Sequence, residues 1–229
     1  MFAVLGGQLS LFDGPEGYRP SEDSFWLSCL LPPVPKNSDV LDLGCGTGAV
    51  ILSYGQRHPG LNLWGLDHNP EMLHAAKHAS EVNGLPLTLT EGDALTHPFH
   101  HQFDLSFANP PFYQKGREAQ AQTKAKQNVR QTSGVNLWLE ALLRATKPEG
   151  WVALICHKAD SLGLIDHGVA LGASCTHQFD LQSQAAKPAK RSVLIFKKQA
   201  GLAIVQHTLH TDDPALRDSA LQKNISLYG

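Results

Sequence analysis

The run Asn109-Pro110-Pro111-Phe112 combines residue types that could do chemistry together. An exocyclic amine on an aromatic base is a weak nucleophile, because its lone pair is conjugated with the ring. The Asn109 side-chain carbonyl and the Pro110 main-chain carbonyl can each accept one amine hydrogen. That localises the lone pair on nitrogen and aims it at an electrophile. Two prolines stiffen the turn, so the geometry is held rather than formed on binding. Phe112 offers an aromatic face on which a base can stack. Attack itself needs no general base, since the proton can leave after group transfer. The alternative use of this run is an ordinary Pro-Pro turn with a buried Phe.

Upstream, Gly44-Cys45-Gly46-Thr47-Gly48 follows an apolar run, 40–43, that contains Asp42. Glycines here let the backbone turn tightly and approach a ligand with no Cβ in the way. Asp67 lies 19 residues after Gly48 and could accept hydrogen bonds from two ribose hydroxyls. Two cofactors fit this arrangement. Taken through Gly44, Gly46 and Ala49, the loop matches a loose dinucleotide pattern. Taken through Gly44, Gly46 and Gly48 after Asp42, it matches the pattern of S-adenosylmethionine (SAM) sites. Gly92-Asp93-Ala94 could hold an adenine ring, the carboxylate on the amino group and a backbone N–H on a ring nitrogen. Asp93 could equally cap a helix.

These residues need elements to position them. Gly6-Gly7 between apolar runs predicts a hairpin with a two-residue primed turn. Ser21 is placed to cap a helix over 22–31, which Pro32-Pro33 stops. Strand 40–43 feeds the glycine loop, and helix 49–58 follows it. Strand 61–66 ends at Asp67, and Asn69-Pro70 opens a helix running to about Gly84. Strands 87–90 and 103–108 come next. The second delivers Asn109 to the carboxyl end of a sheet, where open α/β folds bind ligands. Residues 113–134 are polar and predict a long loop. Helix 135–146, strand 151–156, helix 161–171 and strands 174–181 and 192–196 follow, with 202–207 a possible extension. Alternation of this kind indicates an α/β fold with a doubly wound, mostly parallel sheet. With no composition break or repeat, 1–229 reads as one domain. Within it, 1–31 form the hairpin and first helix, 39–112 the cofactor half and 113–229 the substrate-side half.

At 42% hydrophobic residues the chain can fill one core and is too apolar to be disordered. No run reaches the ~20 apolar residues of a membrane span. The first residues lack a basic region and a cleavage-like site. Cys29, Cys45, Cys156 and Cys175 form no CxxC pair. Together these suggest a reducing cytoplasm. The net charge of −2 conceals a division: residues 1–110 carry four basic and twelve acidic groups, and 111–211 carry thirteen basic and six acidic. Lys115, Arg117, Lys124, Lys126 and Arg130 stand in the loop against Glu118 alone. Lys187, Lys190 and Arg191 precede a strand that bears Lys197 and Lys198. Such segments could track RNA phosphates if they converge in space, and are solvated surface if they do not. Among twelve histidines, His74 and His78 share a helix face, but position 75 is Ala rather than the Glu of HExxH. His97, His100 and His101 lack zinc-like spacing, so no metal site is expected.

Taken together, LDLGCGTG over 41–48, Asp67 and the NPPF run resemble a class I SAM-dependent methyltransferase with an NPPF/Y motif. With the Gly6-Gly7 start, the segment Tyr18-Arg19-Pro20-Ser21-Glu22-Asp23-Ser24 and the basic late strand, the chain is similar to the bacterial tRNA(Val) adenine-N6 methyltransferases. That resemblance implies a Rossmann-like sheet of seven strands with SAM as cofactor and a tRNA or other structured RNA as partner. It also implies transfer of a methyl group to an adenine beside the anticodon. By position, Asp42, Gly44, Gly46 and Gly48 would line the amino-acid portion of SAM, and Asp67 the ribose. Asp93 with Ala94 would hold the adenine. Asn109, Pro110 and Phe112 would hold the target base, and Arg19, Ser21 and Asp23 would approach the methionine end. The sequence departs from the family at Val129-Arg130-Gln131-Thr132, where only the arginine of an Arg-His-Glu-like element is kept. Guanine-N2 methylation of rRNA and glutamine-N5 methylation of protein would suit the same motif. A SAM-binding module without catalysis would have no use for an intact Asn109 and Phe112. A nicotinamide oxidoreductase would leave NPPF unexplained.

Overall fold

The computed structural model describes residues 1–111, 134–184 and 186–222. Strands β1 (Phe2–Val4) and β2 (Leu9–Leu11) form an antiparallel hairpin with Val4 opposite Leu9. The connection is therefore four residues, 5–8, and not the expected two. Leu5, Gly6 and Gly7 all take positive φ, and Leu5 is buried in the core. Bringing that side chain inward breaks the strand before the glycines can form a tight turn.

The remaining strands build one sheet. They are β3 (Asp39–Leu43), β4 (Asn62–Asp67), β5 (Leu87–Glu91), β6 (Phe103–Ala108), β7 (Thr146–His157), β8 (Ser174–Gln182), β9 (Arg191–Lys197) and β10 (Val205–His210). Helices α1 (Glu22–Leu30), α2 (Ala49–Arg57), α3 (Pro70–Asn83), α4 (Gly134–Ala145), α5 (Ser161–Ala170) and α6 (Pro214–Gln222) accompany them. The spatial order is β10-β8-β9-β7-β6-β3-β4-β5. Only β9 is antiparallel to its neighbours. Among the described residues the sheet thus has eight strands where seven were expected. The eighth, β10, adds in parallel to β8 at the edge. His207 stacks on the buried Phe179 ring with centroids 4.6 Å apart, which anchors the added strand. Helix α6 was not anticipated. Arg217 on it pairs with Glu22 of α1 at 2.9 Å.

Strand alternation sorts the core into two layers. Val40 packs with Leu105, Phe107, Ile155 and the apolar residues of α1 and α2. Leu41 and Leu43 face the other way, onto Leu139 and Leu142 of α4. The chain runs from β3 out to β4 and β5, then crosses back so that β6 pairs with the other side of β3. The carboxyl ends of β3 and β6 therefore flank the switch point of the sheet, where such folds bind ligands. The glycine loop follows one and Asn109 the other.

One α3 side chain hydrogen-bonds to the hairpin backbone. The Asn83 carboxamide accepts from the Ser10 N–H (2.8 Å) and donates to the Ser10 carbonyl (2.7 Å). Asn83→Ala should lower stability by about 1–3 kcal/mol and speed hydrogen exchange at the Ser10 amide. Unchanged exchange there would show that other contacts hold the hairpin.

Candidate active site

Gly44, Gly46 and Gly48 all occupy the left-handed region, with φ of +76°, +52° and +80°. At Gly44 a Cβ would lie 2.8 Å from the Trp138 ring, whereas above Gly46 there is open space. The loop is held from β4. The N–H groups of Gly44 and Cys45 both donate to the Leu66 carbonyl, at 2.7 and 2.9 Å. The Gly46 N–H donates to Asp67 Oδ2 at 2.8 Å, and Asp67 Oδ1 accepts from the Asn69 N–H at 2.9 Å. Asn69 in turn caps α3 by accepting from Glu71 N–H at 2.9 Å. Asp67, itself buried, thus clamps two loops together. The Gly92 N–H donates to the Asp67 carbonyl, bringing the next turn to the same edge. There the exposed Asp93 accepts from the Leu95 N–H at 2.7 Å within a turn, with no helix following it, and Ala94 packs on the second core layer.

A cleft opens between these elements, lined by Tyr18, Pro20, Ser24, Asp42, residues of the glycine loop and Asn109. The segment before the sheet does reach the site, but through different residues from those expected. Arg19 faces outward, bound to Asp13 and lying over the Phe2 ring at 5.1 Å. Ser21 occupies the helix N-cap position without a side-chain cap bond. Asp23 pairs with Arg191 at 3.2 Å. The segment is extended at Ser21 and helical from Glu22. Side chains alternate along the extended part, so Tyr18 and Pro20 share the inner side that Arg19 leaves. Ser24 follows on the first turn of α1. Period-2 alternation through 18–20 was the available signal.

Asn109 is half-buried and Pro110 buried. The Asn109 Nδ2 donates to Ser24 Oγ at 3.0 Å, which leaves the carbonyl Oδ1 to accept from a substrate. Phe112, Lys115, Arg117, Lys124, Lys126 and Arg130 lie outside the described residues. The later basic groups divide between the two ends of the sheet. The Lys158 N–H donates to the Lys190 carbonyl at 3.0 Å, joining the end of β7 to the start of β9. Since β7 runs parallel to β6, Lys187, Lys190 and Arg191 lie at the same edge as Asn109. Lys187 and Lys190 are exposed, whereas Arg191 is engaged by Asp23 and His157. Lys197 and Lys198 are at the far end. Lys197 lies over the Trp151 ring, and Lys198 donates to the Leu143 and Thr146 carbonyls. Among the described residues, no three His, Cys, Asp or Glu side chains are grouped to hold a metal, and no helix is long and apolar enough to cross a membrane. All four cysteines are buried thiols outside any disulfide.

Comparison with known proteins agrees with this geometry. The family described as methyltransferase small domain matches residues 24–136, from Ser24 through both motifs. Over that stretch, just under half of its length, the chain is similar to this methyltransferase family. A Vibrio campbellii relative named tRNA1(Val) (adenine(37)-N6)-methyltransferase is 25% identical over 195 residues, covering 84% of this chain and 81% of that one. A Methanocaldococcus jannaschii relative, named for protein N5-glutamine methylation, is 35% identical over 98 residues, or 43% of this chain and 48% of that one. Among solved structures, a Listeria monocytogenes protein named as a class I S-adenosylmethionine-dependent methyltransferase shares the fold. Its TM-score is 0.62 at 17% identity, covering 85% of this chain and 65% of that one.

The cleft of this methyltransferase suits SAM, which carries positive charge. Asp42 is 1% exposed, and its Oδ2 is a buried oxygen with no hydrogen-bond partner among the described residues, as is Thr47 Oγ1 in the same cleft. Burial chiefly, and the nearby Asp67 charge, push the Asp42 carboxyl well above the usual carboxylate range, against the pull of the Ile51 backbone N–H. Burial first, and then these two carboxylates, likewise raise the Cys45 thiol, so Cys45 packs and is not a nucleophile. A cationic ligand would satisfy the orphaned oxygen. Because the folded carboxyl titrates above the unfolded one, its contribution to stability is full below about pH 4 and is lost as pH rises. Asp42→Asn, neutral throughout, should therefore melt above the parent at pH 8 without cofactor, with the gap closing toward pH 4, and should bind SAM more weakly. A variant that melts below the parent at every pH would refute this account of Asp42.

Proposed function

We propose that this methyltransferase methylates an exocyclic amine of an RNA base, the favoured target being adenine N6 of a tRNA beside the anticodon. The observation that carries the reading is the Asn109 carboxamide at the switch point, its nitrogen engaged by Ser24 and its carbonyl left to accept. Bound SAM would supply an electrophilic methyl group on a sulfonium sulfur. Asp42 and the glycines Gly44, Gly46 and Gly48 would face its amino-acid portion, Asp67 its ribose, and Asp93 with Ala94 its adenine. Asn109 Oδ1 and the Pro110 carbonyl would take the two amine hydrogens and turn the nitrogen lone pair toward the methyl carbon. Methyl transfer would form the N–C bond as the C–S bond of the cofactor broke, with the amine proton released to water. Phe112 would stack on the base.

The name of the Vibrio relative supports tRNA, and the exposed Lys187 and Lys190 on the Asn109 edge supply cations for phosphates. A base in an RNA loop is cheap to unstack, which suits an anticodon-loop target. Work on tRNA would place the protein in the cytoplasm. The Methanocaldococcus relative favours a second reading, glutamine N5 of a protein, since a carboxamide nitrogen is also planar and conjugated.

Methyl-labelled SAM and unmodified tRNA decide between them: nucleoside analysis should yield N6-methyladenosine, and label appearing only in rRNA or protein would overturn the tRNA reading. Asn109→Ala should cut turnover by about 10²–10³-fold with little change in SAM affinity; equal losses in both would remove its assigned role. Lys187→Ala with Lys190→Ala should weaken tRNA binding and reduce the salt slope by about 2, leaving SAM affinity intact. An unaltered slope would place the RNA elsewhere.

A further inference from the structure

A carboxamide that must present its carbonyl to a reacting amine needs something to hold it. A terminal Asn torsion is broad and roughly two-fold, so the side chain does not hold itself. At Asn109 the backbone is restrained by Pro110, which is buried. The side chain is restrained from the opposite wall of the cleft, where Ser24 Oγ accepts from Nδ2 at 3.0 Å. These residues are 85 positions apart in sequence. Ser24 is only 3% exposed, so water is poorly placed to take over if the hydroxyl is removed. The turn that carries Ser24 is itself fixed. The Ser24 N–H donates to the Ser21 carbonyl at 3.1 Å, and the adjacent Asp23 is paired with Arg191, which also contacts His157 at 2.6 Å.

We propose that Ser24 is the positioning residue for Asn109, holding its carboxamide in the place and plane from which Oδ1 can accept an amine hydrogen. This rests on the methyl-transfer role given to Asn109 above. A hydroxyl can serve either end of an amide, so Ser24 does not choose which end faces the cleft. The substrate does, because an amine hydrogen can be accepted only by the carbonyl. The work of Ser24 is to stop the group from turning away. Losing such a restraint misplaces a reacting group and lowers turnover without weakening binding.

Ser24→Ala should therefore lower kcat about 10- to 100-fold, with KM for RNA and SAM affinity little changed. Ser24→Thr, which keeps the hydroxyl, should regain most of that loss. In an Asn109→Ala background the Ser24→Ala change should add almost nothing, since there is no carboxamide left to position. A second readout is independent of any substrate. In the ¹⁵N-labelled free protein, the Asn109 side-chain amide signals, identified by their loss in Asn109→Ala, should shift in Ser24→Ala and return toward the parent position in Ser24→Thr. Unchanged kcat in Ser24→Ala, losses that multiply in the double variant, or amide signals that do not move would each overturn the proposal. If the parent protein methylates no RNA, the functional reading fails, while the amide signals still decide whether Ser24 holds Asn109.

Discussion

Two neighbouring buried carboxyl groups cannot both stand as bare charges, and the site is arranged around that constraint. Asp42 and Asp67 come from the adjacent parallel strands β3 and β4. Asp67 is compensated by the N–H groups of Gly46 and Asn69. Asp42 keeps one oxygen without a partner among the described residues. Burying an uncompensated charge costs several kcal/mol. The folded chain therefore carries a strained electrostatic arrangement at the point where a cationic cofactor can relieve it. The same bonds that compensate Asp67 also shape the glycine loop and start α3, so the clamp, the open space over Gly46 and the acidic lining are one device.

The sheet then divides labour between its two ends. At the carboxyl edge lie the glycine loop, Asp67, Asp93, Asn109 and the start of β9 with its exposed lysines. At the amino edge charges are spent on structure. Lys147 bonds Asp104 at 2.9 Å, and Lys198 caps carbonyls at the end of α4. Parallel pairing is what enforces the division, because every β-to-α loop then emerges on the same side. The antiparallel β9 brings its own amino-terminal residues to that side, which is how Lys190 and Arg191 join the site.

Much of this was legible in the residues. The strand, glycine loop, helix order and the Asn69-Pro70 start produce their elements through local rules, and those elements occur where the pattern places them. Other features depended on contacts distant in sequence. The hairpin turn lengthened because Leu5 is buried, and β10 became an eighth strand because His207 stacks on Phe179. Neither partner is near in sequence to the residue it controls, so local periodicity carries no trace of the contact.

The candidate site separates in the same way. Sequence by itself determined the chemistry on offer: a glycine loop after an acidic strand, a carboxylate at the end of the next strand, and a carbonyl pair in Asn109 and Pro110. Backbone conformation and residue type are local properties, so spacing reveals them. Tertiary structure alone decided which residues of the 18–24 segment face inward, and it selected Tyr18, Pro20 and Ser24 over Arg19, Ser21 and Asp23. It also left one Asp42 oxygen without a partner among the described residues and split the basic residues between two edges. Those outcomes turn on burial and on hydrogen bonds across tens of residues, which exist only once β3, β6 and α1 are packed together.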